Sequence, residues 1–209
     1  MKLGGIILAA GASSRMRRDK ALLRYADATF LNHILHDLQE RLYPVVIVLG
    51  HHADVIRKSI LPKTTTATDP EGVKIVVNSH YHHGMLSSLQ TGIDALPKHI
   101  EAAMFTLVDH PTVKNLTLDK LLATYRKTGA SLVIPRNKNR NGHPVVADRS
   151  VLNEITKLPL TASPKDVIRA HRINTTFIDV NDTGIIADID TPEEYAKLVK
   201  TDIDNSVTT

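Results

Sequence analysis

The sequence predicts an α/β fold with a mainly parallel sheet, and three observations support this prediction. Short apolar runs rich in β-branched residues alternate with segments of helical periodicity along most of the 209 residues. Residues 45–49 are apolar throughout, as expected for a strand covered on both faces. Hydrophobic residues make up 42% of the chain and charged residues 23%, a composition typical of a folded globular domain. Together these features imply successive βαβ units.

Strands and helices alternate through the first half of the chain. Apolar runs predict strands at residues 6–9, 45–49, 74–77 and 102–108. The helix after the first strand is predicted from side chains that recur on one helix face, namely Leu31, Ile34, Leu35, Leu38 and Leu42. Shorter segments of similar periodicity predict helices at residues 53–60, 85–96 and 116–125.

The second half contains shorter elements. Extended segments are predicted at 131–134, 145–147 and 175–180, helices at 151–157 and 164–171, and a basic, asparagine-rich loop at 136–141. The last helix has a clear start signal, with Thr191 as N-cap, Pro192 at its first position and Glu194 at its third. We expect one domain over residues 1–200 and a disordered polar tail over residues 201–209.

Composition and charge narrow the classes of partner. The chain has no cysteine, which excludes disulfides and thiolate metal sites, and no apolar run long enough to span a bilayer. With no signal-peptide pattern at its start, we expect a cytoplasmic protein with no membrane partner. The formal charge of +4 favours anionic ligands, but aromatic residues are only 4% of the chain, so we expect a small phosphorylated ligand and no nucleic acid.

Ligands of open α/β sheets bind beyond the carboxyl ends of the strands, so the residues that follow strands are the informative ones. After the first strand the chain reads L-A-A-G-A-S-S-R-M-R-R-D-K over residues 8–20. Small residues allow backbone N–H groups to approach phosphate oxygens, and Arg15 and Lys20 supply positive charge. The stretch lacks both the G-x-G-x-x-G dinucleotide fingerprint and the P-loop pattern. We therefore predict that this stretch binds phosphate through its backbone N–H groups and basic side chains. The alternative is that it is a solvated basic loop with no ligand.

Carboxylates follow other strands of the predicted sheet. Asp109 ends the run at 102–108 and suits either Mg²⁺, which prefers carboxylates together with substrate phosphates, or a helix cap. Asp188 and Asp190 are two residues apart and share a face in an extended segment. Either could complete a metal site with Asp109. The 11 histidines include no H-E-x-x-H pair, so a dedicated histidine metal site is not expected, and the absence of G-x-S-x-G disfavours a serine hydrolase.

These residues together resemble the MobA-like NTP transferase family, in particular its molybdenum cofactor cytidylyltransferase branch. The resemblance rests on four stretches that occur in the family's order: residues 8–16 with Lys20; Asn78 with G-M-L-S-S-L at 84–89 and Gly92; D-H-P at 109–111; and G-H-P at 142–144 with D-I-D-T-P-E-E-Y at 188–195. It implies a Rossmann-like three-layer α/β/α sandwich of the nucleotide-diphospho-sugar transferase type.

The resemblance also implies roles for individual residues. Arg15, Lys20 and Asp109 would be catalytic, and Asp109 would hold Mg²⁺ with Asp188 or Asp190. Gly142, His143 and Pro144 would face the acceptor, with Arg136, Lys138 and Arg140 near its phosphate. The nucleotide would contact Leu8, Ala9, Ala10, Gly11, Ala12, Ser13, Ser14, Arg15, Lys20, Asn78, Ser88 and Gly92.

The implied reaction transfers a cytidylyl group from CTP to a molybdopterin-type phosphorylated acceptor and releases pyrophosphate, with Mg²⁺ as cofactor. Ala10 favours CTP, because relatives that use GTP tend to carry Gly there. A molybdoenzyme that receives the product is a further candidate partner. The alternatives are a transferase that uses GTP or a sugar-phosphate or isoprenoid acceptor, and a non-catalytic nucleotide-binding protein of chaperone type. Two positions differ from the family pattern: Arg17 and Val108 each stand where Gly is usual or frequent.

Overall fold

The computed structural model describes residues 1–60 and 72–207. The strands are β1 (Leu3–Ala9), β2 (Arg24–Tyr25), β3 (Ala28–Thr29), β4 (Val45–Leu49), β5 (Val73–Val77), β6 (Ala102–Leu107), β7 (Leu132–Asn137), β8 (Arg140–Asn141), β9 (Val145–Asp148) and β10 (Thr175–Asp179). The α-helices are α1 (Phe30–Gln39), α2 (Ala53–Ser59), α3 (Met85–Ala95), α4 (Asn115–Thr128), α5 (Arg149–Ile155), α6 (Pro164–Ala170) and α7 (Pro192–Val207). No helix in these ranges is long and apolar enough to cross a membrane.

The main sheet has the strand order β10-β7-β9-β6-β1-β4-β5, with β8 added beside β7. β1 runs parallel to both neighbours, and its Ile6 lies opposite Val46 of β4 and Phe105 of β6. β4 with β5 and β7 with β10 are also parallel, whereas β9 is antiparallel to β6 and β7. The predicted mainly parallel α/β fold is therefore confirmed, with β9 as an antiparallel insertion.

Successive side chains of β1 point to opposite faces of the sheet, so helices pack on both faces and form three layers with it. Ile7 and Ala9 pack into a core that includes side chains of α1 and α4. Ile6 and Leu8 point to the opposite face and pack into a second core with side chains of α3 and α5. Because both faces are covered, every residue of β1 is buried and the strand is apolar or glycine at all its positions.

Most predicted elements match the structure apart from small differences at their ends, but two hairpins were not predicted. One pairs β2 with β3, and the other pairs β7 with β8 across residues expected to form an irregular loop. In the second hairpin, Lys138 and Asn139 have φ angles of +46° and +65°. A two-residue turn with two positive φ angles matches the twist of the strands, but its usual sequences are Asn-Gly and Asp-Gly. The Lys138-Asn139 pair therefore did not indicate a hairpin.

The tail expected to be disordered from residue 201 is helical as far as Val207, because α7 continues to that residue. Its start is capped as predicted: the Thr191 hydroxyl accepts a hydrogen bond from the backbone N–H of Glu194. The Glu194 carboxylate in turn accepts from the backbone N–H groups of Asp190 and Thr191. No Gly or Pro follows Pro192 to end the helix. Residues 208–209 lie outside the described residues.

Candidate active site

A cavity of about 330 Å³ opens at the carboxyl ends of β1 and β6. Its position beyond the strand ends is the one expected for an α/β sheet. The lining residues are Leu8, Ala10, Gly11, Ser13, Ser14, Arg15, Lys20, Tyr81, Gly84, Met85, Ser88, Leu107, Val108, Asp109 and Asp190.

The loop after β1 curls back on itself to bring Lys20 into this cavity. Ser13 has a φ of +50°, and its carbonyl accepts a hydrogen bond from the backbone N–H of Arg17 at 3.0 Å. The Ser13 hydroxyl accepts from the backbone N–H of Lys20 at 3.2 Å. Arg17 itself has a φ of +57°, so it adopts the left-handed conformation for which Gly is better suited. Arg17 therefore forms this turn at a conformational cost.

Lys20 joins three segments of the chain through its side chain. Its Nζ lies 2.8 Å from Asp109 Oδ2 and also contacts Asp190 Oδ1. Burial of Lys20 disfavours its charge, but Asp109 and Asp190 outweigh this effect and raise the pKa of Lys20 above its usual value. Lys20 is therefore a fixed positive charge inside the cavity.

Asp190 is held by two cations. In addition to its contact with Lys20, its Oδ2 lies 2.6 Å from Nη2 of Arg15. Burial favours the neutral carboxyl, but the hydrogen bonds and charges of Lys20 and Arg15 prevail and lower the pKa of Asp190. The Asp190 segment is fixed to the end of β6 by a backbone hydrogen bond from Ile189 N–H to the Asp109 carbonyl at 3.1 Å.

Asp109 has one oxygen left for a ligand. Its Oδ1 is buried and has no hydrogen-bond partner within residues 1–60 and 72–207. Such an orphaned carboxylate oxygen is costly unless a cation or other ligand completes it. The nearby His110 Nε2 lies 2.9 Å from Asp188 Oδ1, and atoms of Asp109, His110 and Asp188 lie within 4.8 Å of one another. This donor set fits a divalent cation.

The structure gives Asp188 and Asp190, between which the sequence favours Asp188 as the metal ligand, different surroundings. Both oxygens of Asp190 contact cationic side chains. The Asp188 side chain is 58% exposed and contacts the His110 ring. Asp190 is thus paired with Lys20 and Arg15, whereas Asp188 contacts His110 beside Asp109.

Asn78 is buried behind the cavity wall and does not line it. Its amide nitrogen donates to the hydroxyls of Ser87 and Ser88, and its Oδ1 accepts from the backbone N–H of His80. Asn78 therefore positions the wall of the cavity, and Ser88 lies on that wall. Tyr81, absent from the predicted site, also lines the cavity.

Three other residues predicted to contact the nucleotide, Gly92, Ala9 and Ala12, do not line the cavity. Gly92 faces the sheet, where an added Cβ would lie 2.6 Å from Ile6 Cγ2 and 2.9 Å from Val48 Cγ2. Glycine is required there for close packing of α3 on β1 and β4, and Gly92 does not line the cavity, so its contact with a nucleotide stays a prediction. The side chain of Ala9 is buried in the core, and Ala12 is exposed outside the cavity lining.

The G-H-P segment lies behind His110. An added Cβ on Gly142 would lie 2.1 Å from the carbonyl oxygen of Ile185, so only Gly fits there. The His143 ring centroid is 5.4 Å from that of His110, and its buried Nδ1 has no hydrogen-bond partner in the described part of the chain. Burial, assisted by His110, lowers the pKa of His143 to about 4 against the opposing charge of Asp109. Pro144 is buried as well.

None of these three residues lines the cavity, so their contact with an acceptor stays a prediction. Arg136, expected near the acceptor phosphate, is already paired with Asp179 through two hydrogen bonds of 2.8 and 3.0 Å.

The MobA-like NTP transferase domain family matches residues 5–175 of the chain. The molybdenum cofactor cytidylyltransferase of Escherichia coli K12 is 23% identical over 190 residues, which cover 91% of this chain and 92% of that protein. A probable molybdenum cofactor guanylyltransferase of Bacillus cereus AH820 is 26% identical over 207 residues, or 95% and 96% of the two chains.

Solved structures share the fold. The crystal structure of Rv0371c from Mycobacterium tuberculosis H37Rv has a TM-score of 0.80 at 23% identity and covers 96% of this chain and 98% of its own. A complex of Rv0371c with manganese has a TM-score of 0.73 at 22% identity, with 96% and 100% coverage. Nucleotidyltransferases also occur among the structural neighbours, including one from Methanothermobacter with a TM-score of 0.78 at 16% identity, covering 98% of this chain and 99% of its own.

Proposed function

The chain belongs to the MobA-like NTP transferase family of nucleotidyltransferases, and on that premise we propose that it transfers a cytidylyl group from CTP to a molybdopterin-type phosphorylated acceptor. An oxygen of the acceptor's terminal phosphate attacks the α-phosphorus of CTP. The bond from the α-phosphorus to the bridging oxygen breaks, and pyrophosphate leaves with the electron pair. The observation that carries this proposal is the position of Lys20 between Asp109 and Asp190 in a cavity floored by a small-residue loop.

The loop after β1 supports triphosphate binding at this cavity. Gly11, Ser13 and Ser14 line it, and a Cβ added to Gly11 would have no atom of the described residues within 4 Å. The open space allows phosphate oxygens to approach backbone N–H groups. The Arg15 side chain is 70% exposed, so it can turn from Asp190 to the phosphates without a change in the fold.

The carboxylates support a divalent cation as cofactor, and we propose Mg²⁺. Asp109, whose Oδ1 has no hydrogen-bond partner among the described residues, would hold the ion together with Asp188. When bound, Mg²⁺ would neutralise charge on the phosphate oxygens. Two side chains of the protein also stabilise negative charge: Lys20 acts near the α-phosphate and Arg15 near the departing pyrophosphate. Catalysis of this kind depends on in-line positioning and electrostatic stabilisation rather than on a strong base.

Support for CTP comes from Ala10, which lines the cavity, and from the family resemblance in which Gly at this position accompanies GTP use. Both kinds of enzyme occur among the relatives, named as a cytidylyltransferase in Escherichia coli and a probable guanylyltransferase in Bacillus cereus. GTP is therefore the competing donor in the experiment below.

The experiment measures pyrophosphate release with each of the four ribonucleoside triphosphates, with and without molybdopterin, at saturating Mg²⁺. We expect release with CTP that depends on the acceptor, and a fall of about 10²-fold or more in Asp109→Ala, the size of effect seen when an electrostatic group is lost. Asp94→Ala, an exposed carboxylate on α3, is the matched control and should retain the wild-type rate.

Preference for GTP would overturn the assignment of CTP. A near-wild-type rate for Asp109→Ala would overturn its role in the cation site. Binding of CTP without pyrophosphate release, with molybdopterin present, would favour a non-catalytic nucleotide-binding protein.

A further inference from the structure

Three histidine side chains cluster on the turn that precedes α3. His80, His82 and His83 are exposed, with ring centroids 4.3 Å apart for His82 and His83, 5.9 Å for His80 and His83, and 6.1 Å for His80 and His82. Each offers a ring nitrogen within 4.8 Å of those of the other two. Among the residues that the structure describes, none of these imidazoles has a hydrogen-bonded or ionic partner.

The backbone that carries these rings is fixed by hydrogen bonds. The N–H of His83 donates to the carbonyl of His80 at 2.9 Å, and the N–H of Gly84 donates to the carbonyl of Tyr81 at 3.0 Å. The N–H of His80 donates to the buried Asn78 side chain, and the Ser87 hydroxyl donates to the His80 carbonyl. The three rings are therefore held near one another before any ligand binds, which reduces the entropy lost on binding.

We propose that His80, His82 and His83 form a binding site for a divalent transition metal such as Zn²⁺. Imidazole nitrogens suit Zn²⁺, Ni²⁺ and Cu²⁺, whereas Mg²⁺ prefers oxygen ligands. Zn²⁺ with three protein ligands leaves a fourth position for water or another ligand. Two nitrogens bound to tetrahedral zinc are about 3.3 Å apart, from a zinc–nitrogen distance of about 2.0–2.1 Å. The three side chains are exposed, which leaves the rings room to rotate toward this spacing.

The site is separate from the carboxylate site, but it adjoins the cavity. Tyr81, within the same turn, and Gly84 and Met85, directly after it, line the cavity. A bound metal would therefore add positive charge near the cavity wall. The binding proposal itself rests on the three histidines and holds whether or not CTP is the substrate.

A second group, Asp19 with His51 and His52, also brings ligand atoms within 4.8 Å of one another. In that group the ring nitrogens have partners already: His52 Nδ1 lies 3.1 Å from Asp19 Oδ2, and His51 Nδ1 lies 3.3 Å from the Tyr81 hydroxyl. A metal would have to displace contacts there, so the group at His80, His82 and His83 is the better site.

Isothermal titration of the nucleotide-free protein with Zn²⁺ tests the proposal. With excess Mg²⁺ present to fill the carboxylate site, we expect one Zn²⁺ site per chain, and an increase in the Kd for Zn²⁺ of roughly tenfold or more in the double variant His82→Ala/His83→Ala. The matched control His51→Ala/His52→Ala should bind as wild type does, and so should Asp109→Asn, which removes a carboxylate of the Mg²⁺ site. Circular dichroism should show unchanged folding, because the side chains of His82 and His83 are exposed.

Three results would overturn the proposal. They are a wild-type Kd in His82→Ala/His83→Ala, a loss of binding in His51→Ala/His52→Ala alone, and no Zn²⁺ binding by the wild-type chain. Each result is independent of pyrophosphate release, so failure of this site would leave the proposed transferase activity untouched.

Discussion

Lys20 Nζ donates a hydrogen bond of 2.8 Å to Asp109 Oδ2 and so joins the loop after β1 to the end of β6. In the part of the chain that the structure describes, three carboxylates lie in or beside the cavity around this contact, at Asp109, Asp188 and Asp190, and their ion pairs involve two permanent cations, Lys20 and Arg15. The acidic groups are thus not fully neutralised by the chain. Added positive charge from a divalent cation would let a triphosphate bind beside them.

We expect Lys20→Met to lower kcat for nucleotidyl transfer by about 10²-fold, because the substitution removes the buried charge that we propose stabilises the α-phosphate. Met has similar length and apolar volume, so packing changes little. The measurement is steady-state pyrophosphate release with saturating CTP, acceptor and Mg²⁺. Lys58→Met on the exposed face of α2 is the control. A Lys20→Met rate within about threefold of wild type would contradict a role in transition-state stabilisation.

Asp188→Asn and Asp190→Asn should have different effects. Loss of the Asp188 carboxylate should raise the Mg²⁺ concentration needed for half-maximal rate by roughly tenfold, about 1.4 kcal/mol, because it weakens the cation site. Asp190→Asn should mainly lower kcat, because it removes the anchor of Lys20 and Arg15. Mg²⁺ titrations of both variants test this difference, and the reverse pattern would assign the cation to Asp190.

The position of Asp109 could be predicted from sequence, because a carboxylate that directly follows a buried parallel strand lies at the ligand-binding edge of the sheet. Its contact with Lys20 could not be predicted in detail, since the two are 89 residues apart and meet only through the path of the loop. The different roles of Asp188 and Asp190 depend on which of them meets the cations. The sequence places both residues on the same face of an extended segment, and this does not indicate which of them contacts Lys20 and Arg15.

Two residues show where sequence patterns are ambiguous. Gly92 lies inside a helical pattern, where a glycine indicates close approach of either a ligand or another element, and here the element is the sheet. Tyr81 lines the cavity but is a single aromatic residue in an irregular segment, and such a residue has no periodicity to mark it. In both cases the missing information is tertiary packing.

Gly11→Ala should impair nucleotide binding without loss of stability. Its Cβ would meet no atom within 4 Å, so the free energy of unfolding should change by no more than about 0.5 kcal/mol. The added methyl group would lie at the cavity and hold phosphates away from the backbone, so KM for CTP should rise roughly tenfold, about 1.4 kcal/mol. Urea unfolding and steady-state kinetics measure the two effects.

Gly142→Ala, in contrast to Gly11→Ala, should destabilise the fold. The added Cβ would lie 2.1 Å from the Ile185 carbonyl oxygen, so we expect a loss of stability of about 1–3 kcal/mol. An unchanged KM in Gly11→Ala would contradict the backbone cradle for phosphate.

Arg17→Gly should stabilise the protein. Arg17 has a φ of +57°, and a left-handed conformation costs an L-residue about 1–2 kcal/mol, whereas Gly adopts it freely. The greater freedom of Gly in the unfolded chain offsets about 0.4–1 kcal/mol of this gain. We expect a net increase of about 0.5–1 kcal/mol in urea unfolding. The neighbouring exposed Arg18 has no positive φ, so Arg18→Gly should be destabilising, and equal effects of the two variants would contradict this explanation.

His143 should make the fold sensitive to mild acid. Burial lowers its pKa in the folded protein to about 4, from about 6.5 in the unfolded chain. Between these values the unfolded chain takes up a proton that the folded protein does not, so stability falls as the pH is lowered through this range. From pH 7 to pH 5 the contribution of this one group is about 2 kcal/mol.

His143→Gln should remove that contribution, because glutamine does not titrate. The free energy of unfolding in urea, measured at pH 7 and pH 5, should therefore fall by about 2 kcal/mol less in the variant than in the wild type. The other histidines are present in both proteins and cancel in the comparison. Equal losses in the two proteins would show that the His143 ring is protonated in the folded state at pH 5. The carboxylate of Asp109, which favours the protonated ring, would then outweigh burial at this position.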